Sequence, residues 1–145
     1  MWSHYTDNHK GFCLEYNFIN TDIHPTLTDF LFPIIYREEM YDMSIDLAER
    51  MWNAENYNKY SMIHSLIVKS LEWAYEKEWR LISIPLGKDS GFNLPFFKPE
   101  AIYLGSRMND EDKDKLIDVA KKKQIKVFQM KMKTNQFRLI SERIL

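Results

Sequence analysis

The sequence predicts an α+β protein, with an antiparallel or mixed sheet of five to six strands and two main helices packed on it. Three observations support this fold class. Residues 12–18 alternate between apolar and polar side chains, as a half-buried strand does. Residues 61–74 carry an apolar stripe at helical spacing, and residues 109–123 have the cap and charge order of a second helix.

The N-terminal region is predicted to form a turn followed by a strand. Asn8 to Gly11 is rich in turn formers, and Gly11 is able to take a positive φ. In the strand that follows, one face is expected to carry the apolar side chains of Phe12, Leu14, Tyr16 and Phe18. Residues 20–29 are predicted to form a loop.

The middle of the chain is predicted to alternate between short strands and helices. A second strand is expected over residues 32–38, with Pro33 placing its start at a sheet edge. A short helix is expected over residues 42–52, and the strongest helical pattern covers residues 61–73. A strand over residues 78–85 is predicted to follow it directly.

In the C-terminal half, the predicted helix and strands have clearer boundaries. A loop over residues 86–99 carries Phe92, Phe96 and Phe97, and it either folds over the core or closes a pocket as a lid. A short strand is predicted at residues 101–105. Asn109 caps the next helix, whose acidic first turn and basic last turn suit the helix dipole. Two strands, residues 125–133 and 137–144, close the chain.

Length and composition limit the classes of protein that fit. At 145 residues, the chain is predicted to form a single domain, residues 1–145. A net charge of −1 gives no global attraction to nucleic acid, and no apolar run is long enough to span a membrane. A cytoplasmic location is expected. The single cysteine, Cys13, excludes an internal disulfide and a cysteine-based zinc site.

The main candidate site is the segment in which the predicted helix gives way to a strand. On a strand, Glu76, Glu78 and Arg80 share one face. Two neighbouring carboxylates repel each other unless a cation lies between them, and Arg80 offers one. Enzymes that act on a ribosyl cation place carboxylates in a Glu-x-Glu strand of this kind. The alternative is an exposed ladder of ion pairs at the end of a strand.

Two histidines and a group of C-terminal lysines are weaker candidates. His4 and His9 lie five residues apart, which does not place two metal ligands on one helical face, so no metal site is expected. An imidazole of this segment either binds a phosphate or ribose hydroxyl or satisfies backbone groups. The lysines either form a local basic face or protect a helix end and a strand edge. They are Lys121, Lys122, Lys123, Lys126, Lys131 and Lys133.

Three stretches resemble the motifs of the bacterial family catalogued as domain of unknown function 2971. The first is Trp-Ser-His-Tyr at residues 2–5 with Asn8, His9 and Gly11, and the second is Trp73-x-x-Glu76-x-Glu78-x-Arg80. The third and weaker one is Tyr-Leu-Gly at residues 103–105. Family members carry a further N-terminal segment with an Asn-Asp-Pro-Phe element. This chain therefore resembles the C-terminal portion of a longer family domain.

That family has no settled activity. The functional expectation rests instead on a second resemblance: a histidine-bearing first motif, an aromatic-rich core and a later Glu-x-Glu strand are arranged much as in NAD-using ADP-ribosyltransferases. Glu78 and Glu76 are the expected catalytic residues, and His4, His9, Tyr5 and Arg80 are expected to bind the cofactor. Two alternatives remain open: a non-catalytic module that binds protein or nucleic acid, and an inactive truncated copy. Self-association through exposed sheet edges is also expected. The sequence names no protein partner.

Overall fold

The computed structural model describes residues 2–19, 30–52, 59–82 and 96–145. In chain order its helices and strands are α1 (Trp2–Tyr5), β1 (Phe12–Glu15), β2 (Leu31–Pro33), β3 (Ile35–Arg37), α2 (Ser44–Trp52), α3 (Lys59–Ile67), β4 (Val68–Ser70), a 3₁₀ helix (Leu71–Glu76), β5 (Trp79–Leu81), β6 (Ala101–Leu104), α4 (Asp110–Lys123), β7 (Lys126–Met132) and β8 (Leu139–Arg143). The predicted α+β class is confirmed.

The chain divides into two compact units. The first unit comprises Met1–Asp22 and Asn93–Leu145, and the second comprises Ile23–Phe92. The first unit contains a four-stranded mixed sheet, and the second contains two two-stranded sheets. The strands are therefore divided among three sheets in the described part of the chain. Whether the whole chain behaves as a single domain stays a prediction.

The sheet of the first unit has the strand order β1-β6-β7-β8. β6 and β7 are parallel because α4 connects them as a crossover, while β1 and β8 pair antiparallel at the two edges. Ile102, Leu104 and Val127 point to the face that α4 covers, and they are 3%, 0% and 0% exposed. Ala120 of α4 is also fully buried there, so this helix face supplies the core of the unit.

The helix α4 begins and ends as its sequence predicts. The Asn109 side chain accepts a hydrogen bond from the backbone N–H of Asp112 at 2.8 Å, which caps the first turn. Leu116 and Ile117 pack against the core beside Ala120. After three lysines, Gln124 takes a left-handed conformation with φ of 54° and ends the helix. The hairpin predicted at the C-terminus is present as β7 and β8.

The first strand is shorter than predicted. The alternating pattern continues to residue 18, but β1 ends at Glu15. Its partner β6 begins at Ala101, and Pro99 just before it has no N–H to donate to a longer ladder. The Glu100 N–H makes the last contact, donating to the Glu15 carbonyl at 2.8 Å. The face expected to be apolar is also half-open, since Phe12 and Leu14 are 45% and 36% exposed on this edge strand.

The second unit contains two short strand pairs. β2 pairs antiparallel with β5, and β3 pairs parallel with β4. The predicted strand over residues 32–38 is divided at Ile34, which is 7% exposed and donates its N–H to the Glu78 carbonyl at 3.0 Å. β3 and β4 can pair in parallel because the chain between them, which includes α2 and α3, is long enough to return to the end at which β3 begins. The short helix predicted at residues 42–52 is present as α2.

The helix predicted over residues 61–73 is wrong beyond Ile67. The chain leaves the helix at Val68, pairs with β3 through Val68–Ser70, and then forms the 3₁₀ helix. Glu76 and Glu78 consequently precede β5, so the predicted Glu-x-Glu strand is not a strand at these positions. Lys77 between them is left-handed, with φ of 49°. Tertiary pairing with β3 thus overrides an apolar stripe that is continuous in the sequence.

Candidate functional site

Four charged side chains of the second unit form what we call the Lys69 cluster: Lys69, Glu76, Glu78 and Arg80. β4 supplies Lys69, the end of the 3₁₀ helix supplies Glu76, and the segment entering β5 supplies Glu78 and Arg80. The left-handed turn at Lys77 allows both glutamates to reach the same lysine. Sequence reasoning therefore grouped Glu76, Glu78 and Arg80 correctly, although the backbone that joins them is a turn.

The ammonium of Lys69 lies between the two carboxylates. Its Nζ is 2.5 Å from Glu76 Oε2 and 2.9 Å from Glu78 Oε2. Arg80 reaches Glu78 from the other side, with Nε 2.5 Å from Oε1 and Nη2 3.4 Å from Oε2. Two positive and two negative side chains thus balance each other. The cation sits where the repulsion between the carboxylates would otherwise be greatest.

Backbone and aromatic groups hold this cluster in place. The Glu78 N–H donates to the Tyr36 hydroxyl at 2.7 Å, and Arg80 Nη1 donates to the Leu66 carbonyl at 2.5 Å. The Lys69 ammonium also lies 5.0 Å from the centre of the Trp73 ring, a cation–π distance. Each member therefore has a fixed position relative to β3, β4 and β5.

The charges of the cluster stabilise one another in their ionised forms. Hydrogen bonds from Arg80, followed by those from Lys69, hold the pKa of Glu78 below its usual range. The hydrogen bonds to Glu76 and Glu78 raise the pKa of Lys69. Glu78 is therefore a carboxylate at neutral pH. Such a group can stabilise a developing positive charge or accept a hydroxyl hydrogen bond, but it cannot act as a general acid.

Accessibility distinguishes the two glutamates. The Glu76 side chain is 8% exposed, whereas Glu78 is 26% and Arg80 is 36% exposed. A ligand approaching from solvent would reach Arg80 and Glu78 before Glu76. An arginine beside an ionised carboxylate suits a ligand that carries both a phosphate and a hydroxyl.

Sequence reasoning missed Lys69 and Tyr36. Lys69 gave no signal, because a helix over residues 61–73 directs it to solvent, away from the apolar stripe. Tyr36 gave no signal, because its contact with Glu78 joins residues 42 positions apart.

The remaining predicted site residues belong to the first unit. His4 and Tyr5 lie on α1, where Tyr5 is 63% exposed. His9 follows in a turn. In this turn Asp7, Asn8 and His9 have positive φ, whereas Gly11, the residue suggested for that conformation, does not. The His9 ring is parallel to Trp2, with centroids 6.5 Å apart, and its buried Nδ1 has no hydrogen-bond partner among the described residues. The cofactor-binding role expected of His4, Tyr5 and His9 stays a prediction.

The first and third motifs interlock at Gly105. Its N–H donates to the Gly11 carbonyl at 2.9 Å, and the Arg107 N–H donates to the His9 carbonyl at 2.9 Å. A Cβ at position 105 would lie 2.1 Å from the His9 carbonyl oxygen. Glycine is therefore required there because backbone from the N-terminal turn occupies the space of a side chain. This contact fixes the turn that carries His9 against the end of β6.

An open cleft of about 540 Å³ lies on the sheet face opposite α4. Its walls include the rings of Trp2, Tyr16, Phe18 and Tyr103, together with Glu15. Phe96 and Phe97, which were predicted to lie either over the core or on a lid, pack against Tyr16 and Phe18 behind these walls. Phe92 of the same predicted loop lies outside the described residues.

The remaining residues to consider are Cys13 and the C-terminal lysines. Burial, followed by the nearby Glu15 charge, raises the pKa of the Cys13 thiol, which disfavours a thiolate nucleophile. Lys131 pairs with Glu142 across β7 and β8, and Lys133 donates to Gln136 in the hairpin turn at 3.1 Å. Lys121, Lys122, Lys123 and Lys126 are exposed. Lys131 and Lys133 thus have local partners within the hairpin.

Neither a metal-binding cluster nor a membrane-spanning helix is found among the described residues. Within these ranges, no three histidine, cysteine or acidic side chains are grouped so that they could hold a metal ion. Of the described helices, none has both the length and the apolar character needed to cross a bilayer.

Comparison with known protein families identifies a match to the first part of the chain. A family model described as "Protein of unknown function (DUF2971)" matches residues 1–81. A search of curated proteins and a search of solved structures give no match. The matched region includes the N-terminal turn and the whole Lys69 cluster, while Tyr103–Gly105 lies beyond it. More than half of the sequence is covered, so the chain belongs to the family of proteins of unknown function DUF2971.

Proposed function

We propose that this protein binds NAD at the Lys69 cluster and transfers its ADP-ribosyl group to an acceptor. The observation that carries the proposal is Glu78, an ionised and partly exposed carboxylate fixed between two cations. Cleavage of the bond between ribose and nicotinamide creates positive charge on the ribose ring. A carboxylate that is already ionised and already oriented stabilises that charge without reorganisation.

Each residue of the cluster has a role in this proposal. Glu78 faces the ribose carbon that becomes positive as nicotinamide leaves with the bonding electrons. Arg80 pairs with a phosphate of the same molecule. Glu76 orients the acceptor or takes its proton, and Lys69 keeps both carboxylates in place. Glu78 is more exposed than Glu76, 26% against 8%, which supports placing the ribose beside Glu78.

The proposal also assigns NAD binding to His4, Tyr5 and His9 of the first unit. The buried Nδ1 of His9, which has no hydrogen-bond partner among the described residues, supports this assignment, because a hydrogen-bonding ligand would satisfy it. His9→Ala is therefore expected to weaken NAD binding.

Calorimetric titration of the whole chain with NAD tests the proposal. The wild type is expected to bind, and Glu78→Gln is expected to lose most of the binding heat while keeping its circular dichroism spectrum. Glu111→Gln is the matched control, because Glu111 is an exposed carboxylate of α4 that pairs only with its helix neighbour Lys115 among the described residues. Release of nicotinamide by the wild type, measured by chromatography, tests the transfer step. Absence of both heat and nicotinamide release would reject the enzyme assignment.

The second candidate is a non-catalytic binding module, and one observation favours it. Both oxygens of Glu78 already accept hydrogen bonds from Lys69 or Arg80, and Arg80 also holds the Leu66 carbonyl. Such a cluster can act purely as a clamp that joins the end of α3 to β4 and β5. In that case Glu78→Gln lowers the melting temperature, and NAD produces no heat with any variant.

A further inference from the structure

The aromatic cleft of the first unit has walls that are fixed before any ligand arrives. Tyr16 and Phe18 make edge-to-face contacts with Phe97, with centroids 5.1 Å apart in each case. Tyr103 is stacked on Phe128 at 5.0 Å with an angle of 13° between the rings. Trp2 is parallel to His9. Each ring is thus held by another ring behind it, so little side-chain entropy is lost when a ligand enters.

The register of the sheet explains why these groups meet. Cys13 pairs with Tyr103, and Tyr103 pairs with Phe128, so all three side chains point to the face opposite α4. Glu15 lies two residues after Cys13 and therefore points to the same face. The N-terminal turn adds Trp2, and residues 16–18 continue past the end of β1 to add Tyr16 and Phe18. All the described residues that line the cleft belong to the first unit.

Glu15 gives this cleft a negative charge, and no cationic side chain of the described residues neutralises it. One carboxylate oxygen, Oε2, accepts a hydrogen bond from the Tyr103 hydroxyl at 2.6 Å. Among the described residues, no lysine or arginine lines the cleft and no ion pair to Glu15 is formed. The hydrogen bond to Glu15 raises the pKa of Tyr103 to about 12, so the phenol stays neutral and remains a donor at physiological pH.

An aromatic wall and an unpaired carboxylate together select one kind of ligand. The faces of aromatic rings attract cations, and the attraction is strongest for cations that are weakly hydrated. A small inorganic cation would have to give up its water to enter an apolar cleft. An organic cation whose charge is spread over methyl groups or an aromatic ring is weakly hydrated, so it gives up much less hydration free energy when it enters.

We propose that this cleft is a binding site for a weakly hydrated organic cation, either a quaternary ammonium group or an N-alkylated pyridinium ring. The cation lies against the rings of Trp2, Tyr16, Phe18 and Tyr103 and faces the Glu15 carboxylate. Tyr103 holds that carboxylate toward the cleft. The site does not depend on the NAD activity proposed for the second unit.

Titration of the whole chain with matched ligands tests this site. Choline and 1-methylnicotinamide represent the two kinds of cation, while 3,3-dimethyl-1-butanol and nicotinamide are their neutral counterparts. NMR of the backbone amides of residues 13–15 and 103 reports binding. At least one cation is expected to shift these signals saturably and to bind at least about fivefold more tightly than its neutral counterpart. Which cation binds more tightly identifies the head group.

Variants separate the charge from the shape of the cleft. Glu15→Gln keeps the shape and is expected to remove the preference for the cation. Tyr103→Phe keeps the ring and should still bind, whereas Tyr103→Leu should not. Glu111→Gln on α4 is the control for a lost surface carboxylate. The proposal would be overturned if neither cation bound more tightly than its neutral counterpart, and also if neither cation produced a saturable shift. A preserved preference in Glu15→Gln would overturn the role of that carboxylate.

Discussion

At the scale of single residues, Glu78 links the stability of the protein to pH. Its pKa in the folded protein lies below the ordinary value of 4.5, because Arg80 and Lys69 favour the ionised form. A depressed folded-state pKa stabilises the folded protein above the unfolded-state pKa. That contribution decreases as the pH falls from about 5 toward the folded-state pKa. The Lys69 cluster is therefore expected to weaken in acid rather than in base.

The variant Glu78→Gln measures this contribution. At pH 7 we expect it to lower the free energy of unfolding by about 1 kcal/mol, a modest value because the side chains are partly exposed and solvent screens the pair. The difference from the wild type should shrink as the pH falls below the ordinary pKa of a glutamate toward the lowered pKa of Glu78, where the wild-type carboxylate also becomes protonated. Urea denaturation at a series of pH values provides the measurement. A difference that is constant with pH would show that lost packing, not lost charge, causes the effect.

At the scale of secondary structure, the elements that sequence predicts best are those with long and redundant signals. The helix α4 has an N-cap at Asn109, three acidic residues in its first turn and three lysines in its last, and all of these agree. The strand β7 has seven residues, which is enough for alternation to be recognised. Local signals and tertiary structure coincide in these elements, so their bounds were predicted within one or two residues.

Short elements were predicted poorly for a definite physical reason. The strands β2, β3, β4 and β5 each have three residues, too few for a period of two to be distinguished from chance. Their identity depends on partners far away in sequence, such as Val68 pairing with Ile35. The grouping of Glu76, Glu78 and Arg80 was nevertheless predicted, since close spacing places them together in a turn as well as in a strand. The place of Lys69 in the cluster depends on the pairing of β3 with β4, so it could not be predicted from the sequence.

The contact between the N-terminal turn and β6 gives a prediction at this scale. Gly105→Ala would place a Cβ 2.1 Å from the His9 carbonyl oxygen and 2.6 Å from the Gly11 carbonyl oxygen. Backbone atoms on both sides cannot move aside as a flexible side chain can. We therefore expect a loss of about 3 kcal/mol in the free energy of unfolding, at the upper end of the usual cost of overpacking.

Gly11→Ala is the matched comparison for this substitution. Its Cβ would approach the Thr6 Cβ to 3.0 Å, a much milder contact. We expect a loss of about 1 kcal/mol, which is near the lower limit for overpacking. Thermal denaturation of both variants provides the measurement. Equal stabilities for the two variants would contradict the interlocking of the turn with β6, and so would a Gly105→Ala protein as stable as the wild type.

At the scale of the whole molecule, the two units divide the family motifs between them. The N-terminal turn and the aromatic cleft belong to the first unit, and the Lys69 cluster belongs to the second. The family match reaches residue 81 and so covers the complete cluster. Sequence reasoning anticipated the N-terminal motif and the group of Glu76, Glu78 and Arg80, because these motifs are local, but it did not predict the aromatic cleft. It could not assign them to units, since the first unit joins residues from the two ends of the chain.

The outer edge of the four-stranded sheet gives the last prediction, which concerns association of whole molecules. β8 is an edge strand; Ile140 on it and Ile144 directly after it are 41% and 45% exposed. An edge strand offers unpaired backbone groups to a second copy. In a symmetric antiparallel pairing centred between Glu142 and Arg143, each glutamate would lie opposite the arginine of the second copy, which is a favourable cross-strand pair.

We therefore expect the molar mass measured by light scattering to rise with protein concentration. Ile140→Lys should keep the protein monomeric, because a lysine at a sheet edge opposes pairing with another strand. Ile45→Lys is the matched control, since Ile45 lies on α2 and is 72% exposed, away from any strand. That control should associate as the wild type does, which would separate an edge effect from a general gain in solubility. A monomer mass for the wild type at every concentration would show that the charged side chains of β8 already protect the edge.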